Sequence, residues 1–359
     1  RQGEYRVESS CPAAQQGAGC CDFAELDPAA EPGIKAEVLL DQIRRVARIE
    51  HTPEVESINL EPQRGWRTRV RLGVDKQGRA GTRKRGSTEL ITDVACSQLV
   101  PGLVDGLVGP DARTFTPGAE VIAVIDSDGN RHVVESRKAP RGRRVETVRE
   151  VIEAPTKNVV QRADSHEFHF PPTAFWQAHI AAPDTYTRIA REWLAQASGD
   201  SVQRDDARVD ANEPIVAWDL YGGVGLFVPA LAEVTAPQGD HTTVYSIDYS
   251  PAASGSQPGL EGIDVEFRTA KVEEIAAQLP KPTTVILDPP RTGAGADVIA
   301  AVATAEPRNV LHVGCDPATF ARDLASWSEH GYRLHRLAMV NAFPGTHHFE
   351  TLALLVPAA

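Results

Sequence analysis

The stretch that decides the fold is residues 309–324, which read N-V-L-H-V-G-C-D-P-A-T-F-A-R-D-L. Its first part, residues 310–313, is apolar and ends at a glycine, as is typical of a buried strand. Pro317 then stands at the expected first position of a helix whose apolar residues continue at helical spacing. Between the two lies Cys315. Open α/β sheets bind their ligands at this point, outside the carboxyl end of a strand.

Two interpretations of Cys315 are open on this stretch alone. The positive end of the following helix would lower the pKa of the thiol below its free value of about 8.5 and make it a nucleophile. The alternative is an inert buried cysteine, which is the commoner fate of a lone cysteine. The other strands of the same sheet bear on this choice.

Apolar strands alternate with helix-length segments in the second half of the chain. A helix is predicted over residues 184–197 and a polar surface loop over residues 198–213. This alternation indicates a mostly parallel sheet with helices on both faces. We therefore expect a doubly wound α/β domain over residues 166–359. Its predicted strands are residues 215–220, 243–247, 284–287 and 310–313.

Each of the first three strands ends in residues suited to hold a ligand. Tyr221-Gly-Gly-Val-Gly225 is a Gly-rich turn that lets a ligand approach the backbone, although a plain tight turn has the same composition. The next strand ends in Asp248, a residue suited to a pair of ribose hydroxyls. The third ends in Asp288-Pro-Pro-Arg291, a rigid turn that aims a carboxylate across the strand ends or, alternatively, serves as a structural loop only. A nucleotide-type ligand is indicated, and the G-x-x-G spacing argues against a dinucleotide.

Residues 1–165 predict an α+β domain with a helix over residues 34–49 and a hairpin turned at Asp128-Gly-Asn130. The net charge of the chain is −12, which argues against a general polyanion binder. Lys and Arg nevertheless concentrate in residues 64–90 and 131–149. These basic stretches indicate a local anionic partner such as RNA, with a solvated charged face as the alternative.

The five cysteines divide into four near the N-terminus and Cys315. This is not the pattern of a secreted disulfide framework, and it favours a four-thiolate metal or cluster site in a reducing compartment. No apolar run reaches the roughly 18 residues of a membrane span, and the opening residues do not form a signal peptide. We expect a soluble cytoplasmic protein without a membrane partner, and nothing in the pattern demands more than a monomer. The four N-terminal thiols are Cys11, Cys20, Cys21 and Cys96.

Taken together, these motifs resemble the S-adenosylmethionine-dependent RNA 5-methyluridine (uracil-5) methyltransferases, in particular their iron–sulfur branch, which acts on 23S rRNA or tRNA. The resemblance runs in register over about residues 166–356, and the joint occurrence of the motifs is specific. It implies a class I methyltransferase fold, which is Rossmann-like. The motifs that carry it are His169-Phe-Pro-Pro-Thr-Ala-Phe-Trp-Gln177, Tyr221-Gly-Gly-Val-Gly225, Asp288-Pro-Pro-Arg291, Gly314-Cys-Asp-Pro-Ala-Thr-Phe-Ala-Arg-Asp323 and His347-His-Phe-Glu350.

The resemblance also implies roles for individual residues. Cys315 would attack carbon 6 of uracil, and Glu350 would remove the proton from carbon 5 after methyl transfer. Leu226 stands where some members carry a cofactor-contacting Asn, so that contact is not transferred. The positions that match cofactor- or base-contacting residues of the family are Gln177, Tyr221, Gly223, Asp248 and Asp288.

Many members bind a [4Fe-4S] cluster through a Cys, a Cys-x-x-Cys pair and a distant Cys. Cys11, Cys21 and Cys96 match this pattern, but Ala18 replaces the first Cys of the pair. The adjacent Cys20 is available as the fourth ligand. The alternative is a lost cluster site with leftover thiols.

The predicted function is that of an RNA uracil-5 methyltransferase that uses S-adenosylmethionine, with rRNA favoured over tRNA by family analogy. Two alternatives are an RNA cytosine-5 methyltransferase, which also needs a Cys nucleophile, and a non-catalytic RNA-binding protein that retains the fold. The joint presence of Cys315, Asp288 and Glu350 argues against the second.

Overall fold

A computed structural model describes residues 3–141, 144–202, 215–235, 242–250 and 257–358. Seven α-helices lie in these ranges: α1 Pro12–Gln15, α2 Glu31–Gln42, α3 Ala182–Val202, α4 Val228–Thr235, α5 Val272–Ile275, α6 Ala296–Thr304 and α7 Pro317–Glu329. Sixteen strands accompany them: β1 Val55–Asn59, β2 Arg69–Val74, β3 Ala80–Arg83, β4 Leu90–Ile91, β5 Glu120–Ile125, β6 Arg131–Arg141, β7 Arg144–Glu153, β8 Val159–Ala163, β9 His166–Phe170, β10 Ile215–Leu220, β11 Thr242–Asp248, β12 Val265–Thr269, β13 Thr284–Leu287, β14 Asn309–Gly314, β15 Tyr332–Asn341 and β16 Glu350–Pro357.

The largest sheet has eight strands in the order β1-β15-β16-β14-β13-β10-β11-β12. Its pairs are parallel except that β16 runs antiparallel to both β14 and β15. The four strands predicted from the apolar runs correspond to β10, β11, β13 and β14, each within one residue of its predicted ends. The predicted, mostly parallel α/β sheet is thus confirmed.

Helices cover both faces of this sheet because its central strands are apolar on both sides. Ala217 of β10 packs in one core with α3 and α4. Its neighbours Val216 and Trp218 point to the opposite core, which includes residues of α2, α6 and α7. This alternation along a strand fixes the doubly wound architecture.

The first half of the chain contains a six-stranded antiparallel sheet in the order β4-β3-β2-β5-β6-β7. The predicted hairpin at Asp128-Gly-Asn130 connects β5 and β6. However, β1 and α2 pack with the large sheet instead, and β1 pairs with β15 at its edge. Lys35 of α2 is buried and its Nζ donates to Glu31 Oε1 and Asn341 Oδ1, both at 2.6 Å. The N-terminal residues are thereby fastened to the end of β15.

Two predicted elements differ from the observed ones. The helix predicted over residues 34–49 begins at Glu31 and continues as a π-helical turn, Ile43–Ala47, before Arg48 ends it in the left-handed conformation. The loop predicted over residues 198–213 begins later, because α3 extends to Val202. The rest of that prediction, residues 203–213, lies outside the described residues. None of the described helices is both long enough and apolar enough to span a bilayer.

Candidate active site

The predicted ligand-binding residues meet at one edge of the large sheet. Strands β10, β11, β13 and β14 are parallel, so their carboxyl ends lie side by side. Tyr221, Asp248, Asp288 and Cys315 therefore follow neighbouring strand ends. This is the edge at which doubly wound sheets bind their ligands.

Glu350 reaches the same edge from the opposite direction. It is the first residue of β16, whose register with β14 pairs Thr351 with Gly314. The next position along each strand brings Glu350 and Cys315 next to each other. The antiparallel course of β16 is thus what places an acidic side chain beside the thiol.

The turn that carries Cys315 is fixed by its neighbours. Asp316 Oδ1 accepts hydrogen bonds from the backbone N–H groups of Ala318 at 3.1 Å and Thr319 at 2.9 Å, and it caps α7. A Cβ at Gly314 would lie 2.6 Å from Phe320 Cδ2, so only glycine allows strand and helix to pack this closely. The half-buried thiol is held between two rigid elements.

The sequence predicted a lowered pKa for Cys315, and this prediction is wrong. Burial, followed by the nearby Glu350 and Asp288 carboxyl groups, raises the pKa of the thiol to about 12. Arg291 and the backbone amide act in the opposite direction but do not compensate. The dipole of one helix is a small effect beside desolvation and two acidic neighbours.

The two carboxyl groups are perturbed as well. Glu350 is 7% exposed, and its Oε2 has no hydrogen-bond partner among the described residues. Burial, reinforced by Asp288 and opposed by Arg291, raises the pKa of Glu350 well above its usual range. Burial and Asp248 raise the pKa of Asp288 to about 7. Such shifts in a cluster are typical of groups that exchange protons during catalysis.

The Gly-rich turn and Asp248 are connected by hydrogen bonds. Asp248 Oδ2 accepts from the N–H of Gly223 at 3.0 Å, and its Oδ1 accepts from the N–H of Ser250 at 2.6 Å. Tyr221 has a φ of 61°, a left-handed conformation that is uncommon outside glycine and is often found at functional sites. Gln177 is buried in the segment between β9 and α3. The turn and the acidic residue therefore form one preorganised unit.

Sequence reasoning missed Asp219, which supports this turn from below. Asp219 is 1% exposed, and its Oδ2 accepts from Ser246 Oγ at 2.9 Å. Burial raises the pKa of Asp219 to about 7 although the Ser246 hydroxyl acts in the opposite direction. An acidic residue inside an otherwise apolar strand was the available signal.

Gly222→Ala tests this support. A Cβ at Gly222 would overlap the Asp219 carboxylate and the Ser246 hydroxyl, which are both buried and bonded to each other. We expect the free energy of unfolding to fall by about 2 kcal/mol, as overpacking typically costs. Urea denaturation measures it. Gly33→Ala in α2, where nothing lies within 4 Å, is the control and should leave stability unchanged or slightly higher. Equal stability of Gly222→Ala and wild type would contradict the described packing.

The loop that follows Asp288 is fastened to α7. Asp323 of α7 accepts hydrogen bonds from the N–H groups of Ala294 at 2.7 Å and Gly295 at 3.2 Å. At the start of the same loop, Arg291 Nη2 lies 3.1 Å from His348 Nε2. This arrangement holds Arg291, a cationic side chain that opposes the raised pKa values of both Cys315 and Glu350. The role of Arg291 was not recognised from the sequence.

The four N-terminal thiols also meet, far from Cys315 in the sequence. Cys11 Sγ lies 4.0 Å from Cys20 Sγ and 3.8 Å from Cys96 Sγ, and the Sγ atoms of Cys21 and Cys96 are 3.5 Å apart. All four sulfur atoms lie within 4.8 Å of one another. Cys20 therefore lies together with the other three thiols despite its altered place in the sequence. The four thiols form a donor set suited to a metal ion or an iron–sulfur cluster.

The fold and the site define a class I methyltransferase. Comparisons with known proteins identify the family. The family model described as tRNA (Uracil-5-)-methyltransferase matches residues 264–357. An uncharacterized RNA methyltransferase from Corynebacterium glutamicum is 54% identical over 352 residues, which cover 98% of this chain and 82% of the relative. The chain belongs to the family of RNA uracil-5 methyltransferases.

Two proteins with more specific descriptions are also similar to this chain. The 23S rRNA (uracil(1939)-C(5))-methyltransferase RlmD from Chromohalobacter salexigens is 30% identical over 380 residues, covering 94% of this chain and 74% of RlmD. The tRNA (uracil-54, C5)-methyltransferase from Pyrococcus abyssi, solved in complex with S-adenosyl-L-homocysteine, superposes with a TM-score of 0.67 at 19% identity. The superposition covers 95% of this chain and 86% of that structure. At this identity it supports the fold.

Proposed function

We propose that this protein transfers a methyl group from S-adenosylmethionine to carbon 5 of a uridine in ribosomal RNA, with Cys315 as the nucleophile and Glu350 as the general base. The observation that supports the proposal is the β14–β16 register, in which Gly314 pairs with Thr351 and Cys315 and Glu350 follow at the next position of each chain segment. A nucleophile and a base on adjacent, well-packed strands are held at a fixed separation. Covalent catalysis requires that arrangement.

The chemistry explains why both groups are needed. Carbon 5 of uracil is a weak nucleophile, and addition of the Cys315 thiolate to carbon 6 converts the ring to an enolate with carbanion character at carbon 5. S-adenosylmethionine supplies an electrophilic methyl group on its sulfonium sulfur. After transfer, Glu350 removes the proton from carbon 5, and the electrons of that C–H bond re-form the ring double bond and expel the Cys315 thiolate.

The raised pKa values of Cys315 and Glu350 determine which of their protonation states are favoured before the reaction begins. The raised pKa of Cys315 favours the thiol, so its proton must pass to solvent before the thiolate attacks carbon 6. Arg291 favours the ionised forms of both Cys315 and Glu350. Desolvation keeps Glu350 a stronger base than an exposed carboxylate, as proton abstraction from carbon requires. Burial and the acidic neighbours therefore make Glu350 a stronger base, while Arg291 limits the rise in the pKa of the Cys315 thiol.

The Gly-rich turn and Asp248 supply the site for the methyl donor. The Asp248 carboxylate, already oriented by the Gly223 amide, is suited to accept hydrogen bonds from the ribose hydroxyls of the donor. We assign Tyr221 and Gln177 to the same donor site because both match the family pattern. The pKa of Asp288 is raised by Asp248, and Asp288 in turn raises the pKa of Glu350. We therefore propose that Asp288 contacts the target base and the reacting end of the donor.

Ribosomal RNA is favoured over transfer RNA because the 23S rRNA methyltransferase named above is 30% identical to this chain, whereas the tRNA methyltransferase of known structure is 19% identical. The test is methyl transfer from labelled S-adenosylmethionine into unmodified transcripts of 23S rRNA and of tRNA, followed by nucleoside analysis. Label in 5-methyluridine of 23S rRNA supports the proposal. Label only in tRNA would change the substrate class, label in 5-methylcytidine would change the target base, and no label in any RNA would refute the reaction.

We further propose that the four N-terminal thiols hold a [4Fe-4S] cluster. Four thiolates are the usual ligands of such a cluster. Arg67 lies near them: burial lowers the pKa of this half-buried side chain, and the electrostatic effect of Cys96, Cys20 and Cys21 opposes that shift. A guanidinium at this place would balance the negative charge of a thiolate-bound cluster. One observation favours a single Zn²⁺ as the second candidate: four bonds of about 2.3 Å place tetrahedral thiolates ~3.8 Å apart, close to the separations seen here.

Metal analysis of protein purified without oxygen distinguishes the two candidates. We expect roughly four iron and four sulfide per chain with broad visible absorption. Cys96→Ser should lose most of this iron, whereas Cys315→Ser should retain it. About one zinc per chain and no visible absorption would establish the second candidate. A chain with neither metal would show that the thiols are unligated.

A further inference from the structure

A groove of about 940 Å³ lies between the loop that carries Cys20 and the antiparallel sheet of the first half of the chain. One wall is formed by residues 19–22 of this loop, and the other by β2, β3 and residues 84–88. Gly73 and Gly81 of these strands also line it. We call it the basic groove because six of its lining side chains are basic: Arg67, Arg71, Arg83, Lys84, Arg85 and His347.

Three cations of the basic groove, Arg71, Arg83 and Lys84, are available to an anion. Arg83 is exposed and forms no ion pair with any residue that the structure describes. Lys84 pairs with the exposed Glu89 at 2.8 Å, and Arg71 pairs with the partly exposed Glu120 at 2.9 Å. Exposed pairs of this kind contribute less than about 1 kcal/mol each. Exchanging them for phosphate contacts therefore costs little.

The three consecutive cations Arg83, Lys84 and Arg85 form the basic tip of the groove, and backbone hydrogen bonds hold this tip in place. The N–H of Gly19 donates to the carbonyl of Arg83 at 2.9 Å, and the N–H of Arg85 donates to the carbonyl of Gly17 at 3.0 Å. Ala18 and Lys84 form the antiparallel bridge between these bonds. The loop that contains the thiols thus pairs with the basic tip as an added strand segment. The three consecutive cations are presented by an ordered backbone.

The groove leads towards the active site. His347 lines it and contacts Asp22 through its ring Nδ1 and its backbone N–H. The rings of His347 and His348 are 3.9 Å apart, and His348 lies against Arg291. Arg291 in turn acts on both Cys315 and Glu350. A polyanion bound in the groove would therefore lie close to the edge of the large sheet that carries Cys315 and Glu350.

We propose that the basic groove binds the phosphate backbone of a single-stranded RNA segment adjacent to the target uridine, with Arg83 and Arg85 contacting phosphates. The proposal rests on the proposed function and defines the surface that receives its substrate. A single strand fits better than a duplex, because the target base must leave its stack to reach Cys315. Backbone contacts of this type give affinity with little sequence preference.

The double variant Arg83→Gln/Arg85→Gln tests the groove. Neutralising two phosphate contacts should weaken RNA binding roughly tenfold at moderate salt and reduce the slope of log K against log salt by about 1.4, the value for two contacts to a single strand. Fluorescence anisotropy with a labelled single-stranded RNA measures both quantities. Arg333→Gln is the matched control, since Arg333 is exposed at the start of β15, away from the carboxyl ends of the sheet. The control should bind as wild type does.

Kinetics separate this proposal from the proposed function. We expect the double variant to raise KM for RNA while kcat at saturating RNA and the affinity for S-adenosylmethionine stay unchanged. If the double variant kept the RNA affinity and salt slope of wild type, the proposal that the basic groove binds RNA would be wrong, whether or not 5-methyluridine is formed. Weakened binding in the double variant together with no methyl transfer by wild type would support the groove and refute the proposed reaction.

Discussion

Cys315→Ala should lower the rate of methyl transfer by at least about 10⁴-fold, because the covalent route is lost and the remaining site can only bind and orient the reactants. The affinity for S-adenosylmethionine should change little, since Cys315 follows β14 and the proposed donor site lies at the ends of β10 and β11. Single-turnover transfer of labelled methyl groups to RNA measures the rate. Equilibrium binding of the donor measures the second quantity.

A mechanism-based probe makes the Cys315 prediction sharper. In RNA with 5-fluorouridine at the target position, fluorine replaces the hydrogen on carbon 5, so Glu350 has no proton to remove. The covalent adduct cannot be resolved, and wild type should form a stable covalent complex with this RNA. Cys315→Ala should form none. Cys315→Ser, which keeps a hydroxyl of similar size, should also form none because an alcohol ionises far less readily than a thiol. A covalent complex with Cys315→Ala would show that another residue is the nucleophile.

Glu350→Gln should reduce turnover by about 10³-fold, within the range expected for removal of a general base. The amide keeps the size of the side chain but cannot accept the carbon 5 proton. Attack by Cys315 and methyl transfer precede that step, so the methylated covalent intermediate should accumulate on unmodified uridine. Denaturing electrophoresis of the protein with labelled RNA detects this species. Wild type should show far less of it.

The control for Glu350→Gln is Glu329→Gln, which changes an exposed residue at the far end of α7. It should turn over and release product as wild type does. If Glu350→Gln lost turnover without accumulating the intermediate, Glu350 would act before or during methyl transfer. Its role as the base of the last step would then be wrong.

Much of the catalytic sheet could be predicted from the sequence because its strands are buried on both faces. The apolar runs at residues 215–220 and 284–287 have few polar residues, and each ends at a Gly-rich or Pro-rich turn. Local composition alone sets these ends. The position of Cys315 after a strand and before a helix followed from the same local signals.

Sheet order and register could not be predicted, since they depend on contacts between distant residues. The antiparallel insertion of β16 between β14 and β15 brings Glu350 to Cys315, and nothing local to either residue specifies it. Only the family resemblance indicated the role of Glu350. The raised pKa of Cys315 has a similar origin, because it results first from burial and then from Glu350 and Asp288, which are distant from Cys315 in the sequence.

The thiol site shows a different limit. The spacing of Cys20 and Cys21 departs from the family motif, so the sequence left open whether four thiols could meet. Backbone pairing between Gly19 and Arg83 fixes the loop in the structure and brings Cys20 towards Cys11. That pairing joins segments more than sixty residues apart and has no sequence signature.

The edge position of β1 has a consequence for biosynthesis. Val55 of β1 pairs with Leu337 of β15, so 337 − 55 = 282 residues separate the partners. At a synthesis rate of about 5–20 residues per second, β1 waits roughly 14–56 s on the ribosome before its partner exists. During that time the sheet that holds the active site cannot be completed. The nascent chain therefore carries β1 without its partner strand until residues 337–341 have been synthesised.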